Sequence, residues 1–233
     1  MKSRLTLCMV WLFVLFCPTA TWSETKFGEW VTVSELDGIT GYTRSTSLTS
    51  VDEVKAVGTV DAPVPVIEAL VRDISAQPEY MFKCTEAYRI TPPGEEITTD
   101  RFYAYNRTGM PWPADDRFGV ALVEYTIDRE TGAIHIAARE APVEMKNEPG
   151  NAVRMPLVRM TFVITPIGEN RSEVLYQVLA DPGGNLPSFI VNLFSRNLGI
   201  KTIAGIREMV KKENYRGAVS VLTTTPWTGA KEP

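Results

Sequence analysis

Polar and apolar residues alternate through Val54-Lys55-Ala56-Val57-Gly58-Thr59-Val60, and a period of two predicts a strand. Before it, Trp30–Val33 opens the core after a short leader with helical character, and Gly38-Ile39-Thr40-Gly41-Tyr42-Thr43-Arg44 reads as a turn entering a first strand. At Asp61-Ala62-Pro63 the period changes. Val66, Leu70, Val71 and Ile74 then fall on one face of a predicted helix, and a short helix follows over 77–82. From Cys84 the period of two returns, predicting strands at 84–91, 98–107, 118–127, 133–140, 153–165 and 172–180. Pro92-Pro93-Gly94, Arg129-Glu130-Thr131-Gly132, Pro149-Gly150 and Gly168-Glu169-Asn170 supply the turns between them.

The last pattern is again helical. Pro182, Gly183 and Gly184 form a sharp turn, Asn185 or Leu186 caps a helix, and Pro187 sits in its first turn. Phe189, Leu193, Phe194, Leu198, Ile200, Ile203, Ile206, Met209 and Val210 then make a wide apolar stripe on a helix running to about Tyr215. Gly199 and Gly205 lower the intrinsic stability of that helix by roughly 1 kcal/mol each relative to Ala, which favours local opening. Two strands, a helical insert, six strands and one long helix define a single α+β domain over 24–216, with a loose tail at 217–233.

Within the hairpin 118–139, a turn at 128–132 sets Tyr125 near His135 and Glu124 near Ile136. One face then carries Ala121, Val123, Tyr125, His135, Ala137 and Arg139; the other carries Val120, Leu122, Ile134, Ile136 and Ala138. Both faces are substantially apolar, whereas a sheet with one wet face alternates cleanly. A sheet curled around a long helix accounts for this, and so does a sheet holding a ligand.

Composition narrows the classes. Lys2 and Arg4 precede the apolar run Leu5–Cys17, and small or polar residues follow at Thr19–Ser23, the layout of a secretory signal peptide over 1–23 cut after Ser23 or Ala20. The expected destination is the periplasm, with secretion as the alternative. Without that segment the chain has 22 basic against 28 acidic residues, a net charge of −6 that disfavours nucleic acid. Cys84 is the one cysteine left, so no internal disulfide is expected, and its ordinary role is that of a small buried hydrophobe. His135 is the only histidine, so no Ser-His-Asp, Cys-His or multi-histidine metal constellation is suggested, and neither a metal nor a cofactor is expected.

The segment Asp181-Pro182-Gly183-Gly184-Asn185-Leu186-Pro187-Ser188-Phe189-Ile190-Val191-Asn192 resembles the start of the last helix in START domains, the StAR-related lipid-transfer family. Pro111-Trp112-Pro113-Ala114-Asp115-Asp116-Arg117 looks like the Pro-aromatic-Pro then Arg-Asp segment entering a central strand of that family, and Gly38-Ile39 with Tyr42 and Glu53–Gly58 match its opening strands. The resemblance covers roughly 28–215. It implies a helix-grip fold, an incomplete antiparallel barrel wrapped around the C-terminal helix, with an apolar tunnel for one lipid and no chemistry. Two departures stand out. Arg117 is followed by Phe118 where the family often has an acid, and the first inward position of the strand is Gly119 where choline-binding members place aromatics. Val158 and Met160 lie where polar or aromatic groups could hold a headgroup, so the resemblance implies a chamber more apolar than a phosphatidylcholine carrier's.

On this reading Asn106, Arg117, Ala121, Val123, Tyr125, Val158, Met160, Phe189, Leu193, Ile200 and Ile203 are the ligand-binding candidates. Arg117 either meets a ligand anion or pairs at a rim with Asp115, Asp116 or Glu140. Arg139 belongs at the rim, and Trp112 plugs one end of the sheet. The expected function is binding and carriage of a single lipid or other hydrophobic molecule in the envelope by a monomer in transient contact with membranes. The alternative is an enzyme on the same fold, a cyclase or hydrolase acting on an aromatic or polyketide-like substrate. That alternative needs a general acid or base in the chamber, such as His135, Tyr105, Tyr125 or Glu124.

Overall fold

The computed structural model describes residues 25–144, 148–184, 186, 191 and 196–221. The predicted leader at 1–23, most of the predicted tail and the candidates Phe189 and Leu193 lie outside these residues. One mixed sheet dominates. Its strands are β1 (Val31–Leu36), β2 (Ile39–Arg44), β3 (Glu53–Val60), β4 (Cys84–Ile90), β5 (Arg101–Thr108), β6 (Asp116–Ile127), β7 (Ile134–Glu140), β8 (Ala152–Arg154), β9 (Leu157–Gly168) and β10 (Arg171–Asp181). The order across the sheet is β1-β2-β3-β10-β9-β7-β6-β5-β4, antiparallel throughout, with β8 joining the first residues of β6 in parallel. Helices α1 (Val64–Arg72) and α2 (Gln77–Tyr80) lie between β3 and β4, and α3 (Leu198–Met209) packs on β2, β3 and β10 and against α1 and α2.

Three strands, not two, precede the helices. The extra one is β1, joined to β2 through Asp37 and Gly38, both at positive φ as a two-residue hairpin requires. The leader expected to be helical is extended here, with Phe27 bridging to Thr46. The single strand expected at 153–165 is two, because Pro156 offers no N–H to a ladder and separates β8 from β9. The turn at Pro182-Gly183-Gly184 forms as expected, with φ of 63° and 67° at the two glycines.

The β6–β7 register differs by one residue from the sequence expectation. Tyr125 pairs with Ile136, Val123 with Ala138 and Thr126 with His135. The loop ends one residue later than expected because Asp128 and Ala133 close it, with Gly132 at φ 72° donating its N–H to the Asp128 carbonyl. A one-residue slip exchanges the faces of an entire strand. Ile134, Ile136 and Ala138 therefore join Ala121, Val123 and Tyr125 on the inner face, while His135, Ala137 and Arg139 are exposed outside.

The outer face of β5 and β6 is apolar for a separate reason. Tyr103, Tyr105, Phe118, Val120, Leu122 and Ala141 form a second cluster, with Val143 and Ala152 packed on it. The described residues Ala141, Val143 and Ala152 of the segment that follows β7 lie on this face. The ends of that segment are pinned by the Ala141 N–H on the Val120 carbonyl and the Met155 N–H on the Phe118 carbonyl, both short of 3 Å. Phe118 thus belongs to the outer cluster.

Of the predicted C-terminal helix, residues 187–190 and 192–195 lie outside the described residues, Val191 is helical, and Arg196 and Asn197 form a turn. Among the described residues α3 spans Leu198–Met209, and an extended Lys212 separates it from a 3-10 turn at Glu213–Tyr215. Gly199 and Gly205 are contact points rather than weak points. A methyl group on Gly199 would stand 2.6 Å from Ala56 Cβ, and one on Gly205 would stand 2.5 Å from the Tyr80 carbonyl oxygen. No helix among the described residues is long and apolar enough to cross a membrane.

Candidate functional site: an internal cavity

Inward positions change size along the strands. At one level they are large: Phe102 and Tyr125 with ring centroids 5.9 Å apart, Phe162 and Tyr176 at 4.6 Å, with Ile136 between β6 and β9. These residues, with Ile203 and Ile206 of α3, belong to a close-packed core. Toward the other end of the same strands the inward residues shrink. β5 offers Ala104, β6 Gly119 and Ala121, β7 Ala138 and β10 Ala180. Antiparallel pairing brings these small residues together: Ala104 faces Ala121 across β5–β6, and Gly119 faces Asn106. A cavity of about 1060 Å³, counted with its open mouth, results above the aromatic floor.

The remaining walls are Val158 and Met160 on β9, Val178 on β10, and Met81 and Phe82 just after α2. Met110, Met155, Pro182 and Leu198 surround one end, with Val191. Polar groups are few. The Asn106 amide donates to Gln77 Oε1 at 2.9 Å and to Cys84 Sγ at 3.1 Å, and its oxygen accepts from the Thr108 hydroxyl at 3.4 Å. Burial pushes the Cys84 thiol up to about 11, with the hydrogen bonds from Asn106 and to the Glu86 carbonyl opposing the rise. At neutral pH the group is a thiol, not the thiolate that nucleophilic chemistry needs. Tyr176 forms part of the floor, its hydroxyl raised well above the ordinary phenol range by burial.

Arg117 is the one charged residue of the wall among the described residues, and it is 4% exposed. Its Nε donates to the Pro182 carbonyl at 2.7 Å, Nη1 to the Asp115 carbonyl at 2.5 Å and Nη2 to the Gly183 carbonyl at 3.4 Å. Burial lowers its pKa, and the nearby charge of Asp115 opposes that. The rim pairing with Asp116 or Glu140 is absent: Asp116 takes Arg107 at 2.8 Å. Arg139 lies outside the cavity and leans toward Glu124 at 3.8 Å, not toward Glu140.

Of the sequence candidates, Asn106, Arg117, Ala121, Val123, Val158 and Met160 line the cavity together. Tyr125 does not. Its ring lies within the core under the Arg72 guanidinium, and its hydroxyl donates to the Val71 carbonyl at 3.2 Å. Ile200 and Ile203 are buried in the main core rather than in the cavity wall, because α3 turns that face toward β2 and β3. The sequence reading missed Gln77, Phe82, Ala104, Ala138 and Tyr176. Ala104 and Ala138 could have been found by following the alternation two residues from Asn106 and from Ile136. Gln77 and Phe82 carry no local signal, since a four-residue helix has no distinctive pattern.

None of the four acid–base candidates lines the cavity. His135 is exposed on the outer face, Glu124 lies outside with the two arginines 101 and 139, Tyr105 is in the outer cluster, and Tyr125 is in the core. Trp112 does not plug the sheet. It is 92% exposed on the β5–β6 loop, two residues from Met110 of the cavity wall.

No protein-family model matches the chain. It is 28% identical over 186 residues to an uncharacterized protein of Pseudomonas aeruginosa, covering 79% of this chain and 88% of that one. It is 24% identical over 194 residues to the phosphatidylcholine transfer protein of Rattus norvegicus, covering 80% and 85%. Among solved structures, the STAR-related lipid transfer protein of Xanthomonas axonopodis superposes with a TM-score of 0.69 at 22% identity, over 78% of this chain and 99% of that one. Human StAR-related lipid transfer protein 5 superposes with a TM-score of 0.70 at 17% identity, over 78% and 86%. The curved antiparallel sheet, the helix packed across it and these likenesses converge, and the chain is a START-fold protein, with the helix-grip architecture of the StAR-related lipid-transfer domains.

Proposed function

We propose that the protein binds one lipid or other hydrophobic molecule in this cavity and carries or presents it in the cell envelope, without chemistry. The observation that supports this is the cavity itself. Small inward residues leave a concave chamber with a mainly apolar lining and few polar groups, the surroundings that suit a hydrophobic occupant. An acyl chain or polycyclic body gains about 0.8 kcal/mol per CH₂ removed from water. The likeness to lipid-transfer proteins points the same way. Transfer requires brief contact with a bilayer. The exposed Trp112, beside the cavity end at Met110, is the residue type that settles at membrane interfaces. The protein works as a monomer on this reading.

The test is lipid extraction from the purified protein, followed by transfer of a fluorescent lipid between vesicles. One lipid per chain and saturable transfer are expected. Trp112→Ala should slow transfer about tenfold, the loss of about 1.4 kcal/mol of interfacial contact, while leaving affinity in solution unchanged. Unimpaired transfer by the variant would remove Trp112 from membrane contact, and failure to bind any lipid would end the reading.

Export rests on the charged start and apolar run of residues 1–23. Protein recovered from the envelope fraction should have an intact mass beginning at Thr21 or Glu24. Full-length protein in the cytoplasm would contradict this.

A further inference from the structure

Arg117 raises a question that apolar packing does not answer. A guanidinium is permanently charged, and burying it without an anion is costly. Its residue is 4% exposed and stands in the cavity wall, yet no carboxylate pairs with it among the described residues. The acids around it are committed elsewhere. Asp116 accepts from Arg107 at 2.8 Å and from the Met110 N–H at 3.1 Å. Asp181 accepts from the Thr49 hydroxyl at 2.7 Å and the Gly183 N–H at 2.8 Å. Asp115 is exposed; it gives the arginine its main-chain carbonyl, and its carboxylate acts on the guanidinium through space without forming a hydrogen bond or ion pair with it.

A guanidinium has five N–H donors, and the three carbonyls of Asp115, Pro182 and Gly183 engage one on each nitrogen. One donor therefore remains on Nη1 and one on Nη2. Two donors on the paired terminal nitrogens suit two oxygens of one carboxylate or phosphate. The cavity wall holds no acid that would repel such a group, and none that would hold a choline-like cation.

We infer that the occupant of the cavity is an amphiphile with an anionic headgroup, a carboxylate or phosphodiester, seated on Arg117, with its apolar part directed toward the small residues and aromatic floor. This rests on the lipid-binding reading and specifies its ligand class. The polarity is set by position: Arg117 and Thr108 are cross-strand partners at the end of β5–β6 near the Pro182–Gly183 turn, whereas Val123 and Ala138 pair close to the floor. Arg117 is then a specificity-determining residue that rejects neutral and cationic heads.

The test compares cis-parinaric acid with its methyl ester, two fluorescent amphiphiles that differ only in charge at one end. Wild-type protein should bind the acid more tightly by a factor on the order of ten to one hundred, the range of a charge-assisted pair. Arg117→Met should bring the ratio close to one by weakening the acid while leaving the ester nearly unchanged. Arg117→Lys should retain part of the preference, since charge survives and the fork does not. Equal affinity of wild type for acid and ester overturns the inference and leaves lipid binding intact. Loss of binding for both by wild type overturns the lipid reading, and this inference with it. Should Arg117→Met fail to fold, because the residue also ties β6 to the Pro182–Gly183 turn, the wild-type ratio decides alone.

Discussion

Gly205→Ala is expected to lower stability by about 2–3 kcal/mol, the range for forcing a group into packed space. Helix propensity alone expects the opposite, a gain of about 1 kcal/mol. The difference lies in what faces the glycine. Its missing methyl group would stand 2.5 Å from the Tyr80 carbonyl oxygen, 2.8 Å from Tyr80 Cα and 3.0 Å from Tyr80 C. These are backbone atoms at the end of α2, which cannot swing aside as a side-chain tip can. The same contact is held by the Phe82 N–H on Thr202 Oγ1 at 3.3 Å. A fall in Tm of roughly 4–12 °C is expected for a chain of this size, with thermal unfolding as the measurement. Ala204→Gly is the matched control: Ala204 is exposed, so it should cost only the propensity term of about 1 kcal/mol. A stabilised Gly205→Ala protein would mean that α2 and α3 do not approach this closely. The stiffening of α3 by alanine at 199 and 205, which the sequence alone suggests as a way to slow a lid, is for the same reason not available.

Ala121→Trp should do the reverse, weakening ligand binding while sparing the fold. Ala121 faces the cavity at the level where Ala104 pairs with it, and the indole would enter space rather than packed atoms. Stability should change by less than about 1 kcal/mol. A ligand that loses room for four CH₂ groups forfeits about 3 kcal/mol, so affinity for a fluorescent lipid should fall roughly a hundredfold. Unchanged affinity in a folded variant would place the lipid site elsewhere on the molecule. The two substitutions separate the roles of two parts of the interior: the α2–α3 contact holds the fold, and the ring of small residues leaves room for the ligand.

Much of this architecture is legible in the chain. The strands from Cys84 onward follow from alternation, and α1 follows from Val66, Leu70, Val71 and Ile74, all of which are buried. The Gly183-Gly184 turn follows from backbone freedom that only glycine has at no cost. The site was legible in part. Asn106, Arg117, Ala121 and Val123 stand at inward positions of two adjacent strands, and alternation plus one pairing is enough to bring them together. Tyr125 keeps the same alternation and was misplaced in depth, because period two assigns a face and says nothing of height. The role of Trp112 was misread because a tryptophan between prolines resembles a core plug in sequence, while its 92% exposure depends on where the β5–β6 loop projects.

The sequence by itself determined β2 to β7, β10, α1 and the Pro182-Gly183-Gly184 turn, since these depend on side-chain spacing and backbone freedom within a few residues; it did not reveal β1 or the break at Pro156 between β8 and β9. Only the tertiary structure decided the β6–β7 register, the close approach of α3 to Tyr80 and Ala56, and the cavity. Each depends on hydrogen bonds and contacts between residues far apart in the chain. Ala104, Ala121, Ala138 and Ala180 are unremarked small residues in four separate strands, and they make a chamber because pairing sets them above one aromatic floor. The buried charge of Arg117 likewise acquires meaning only when the fold removes it from water and gives it carbonyls in place of an acid.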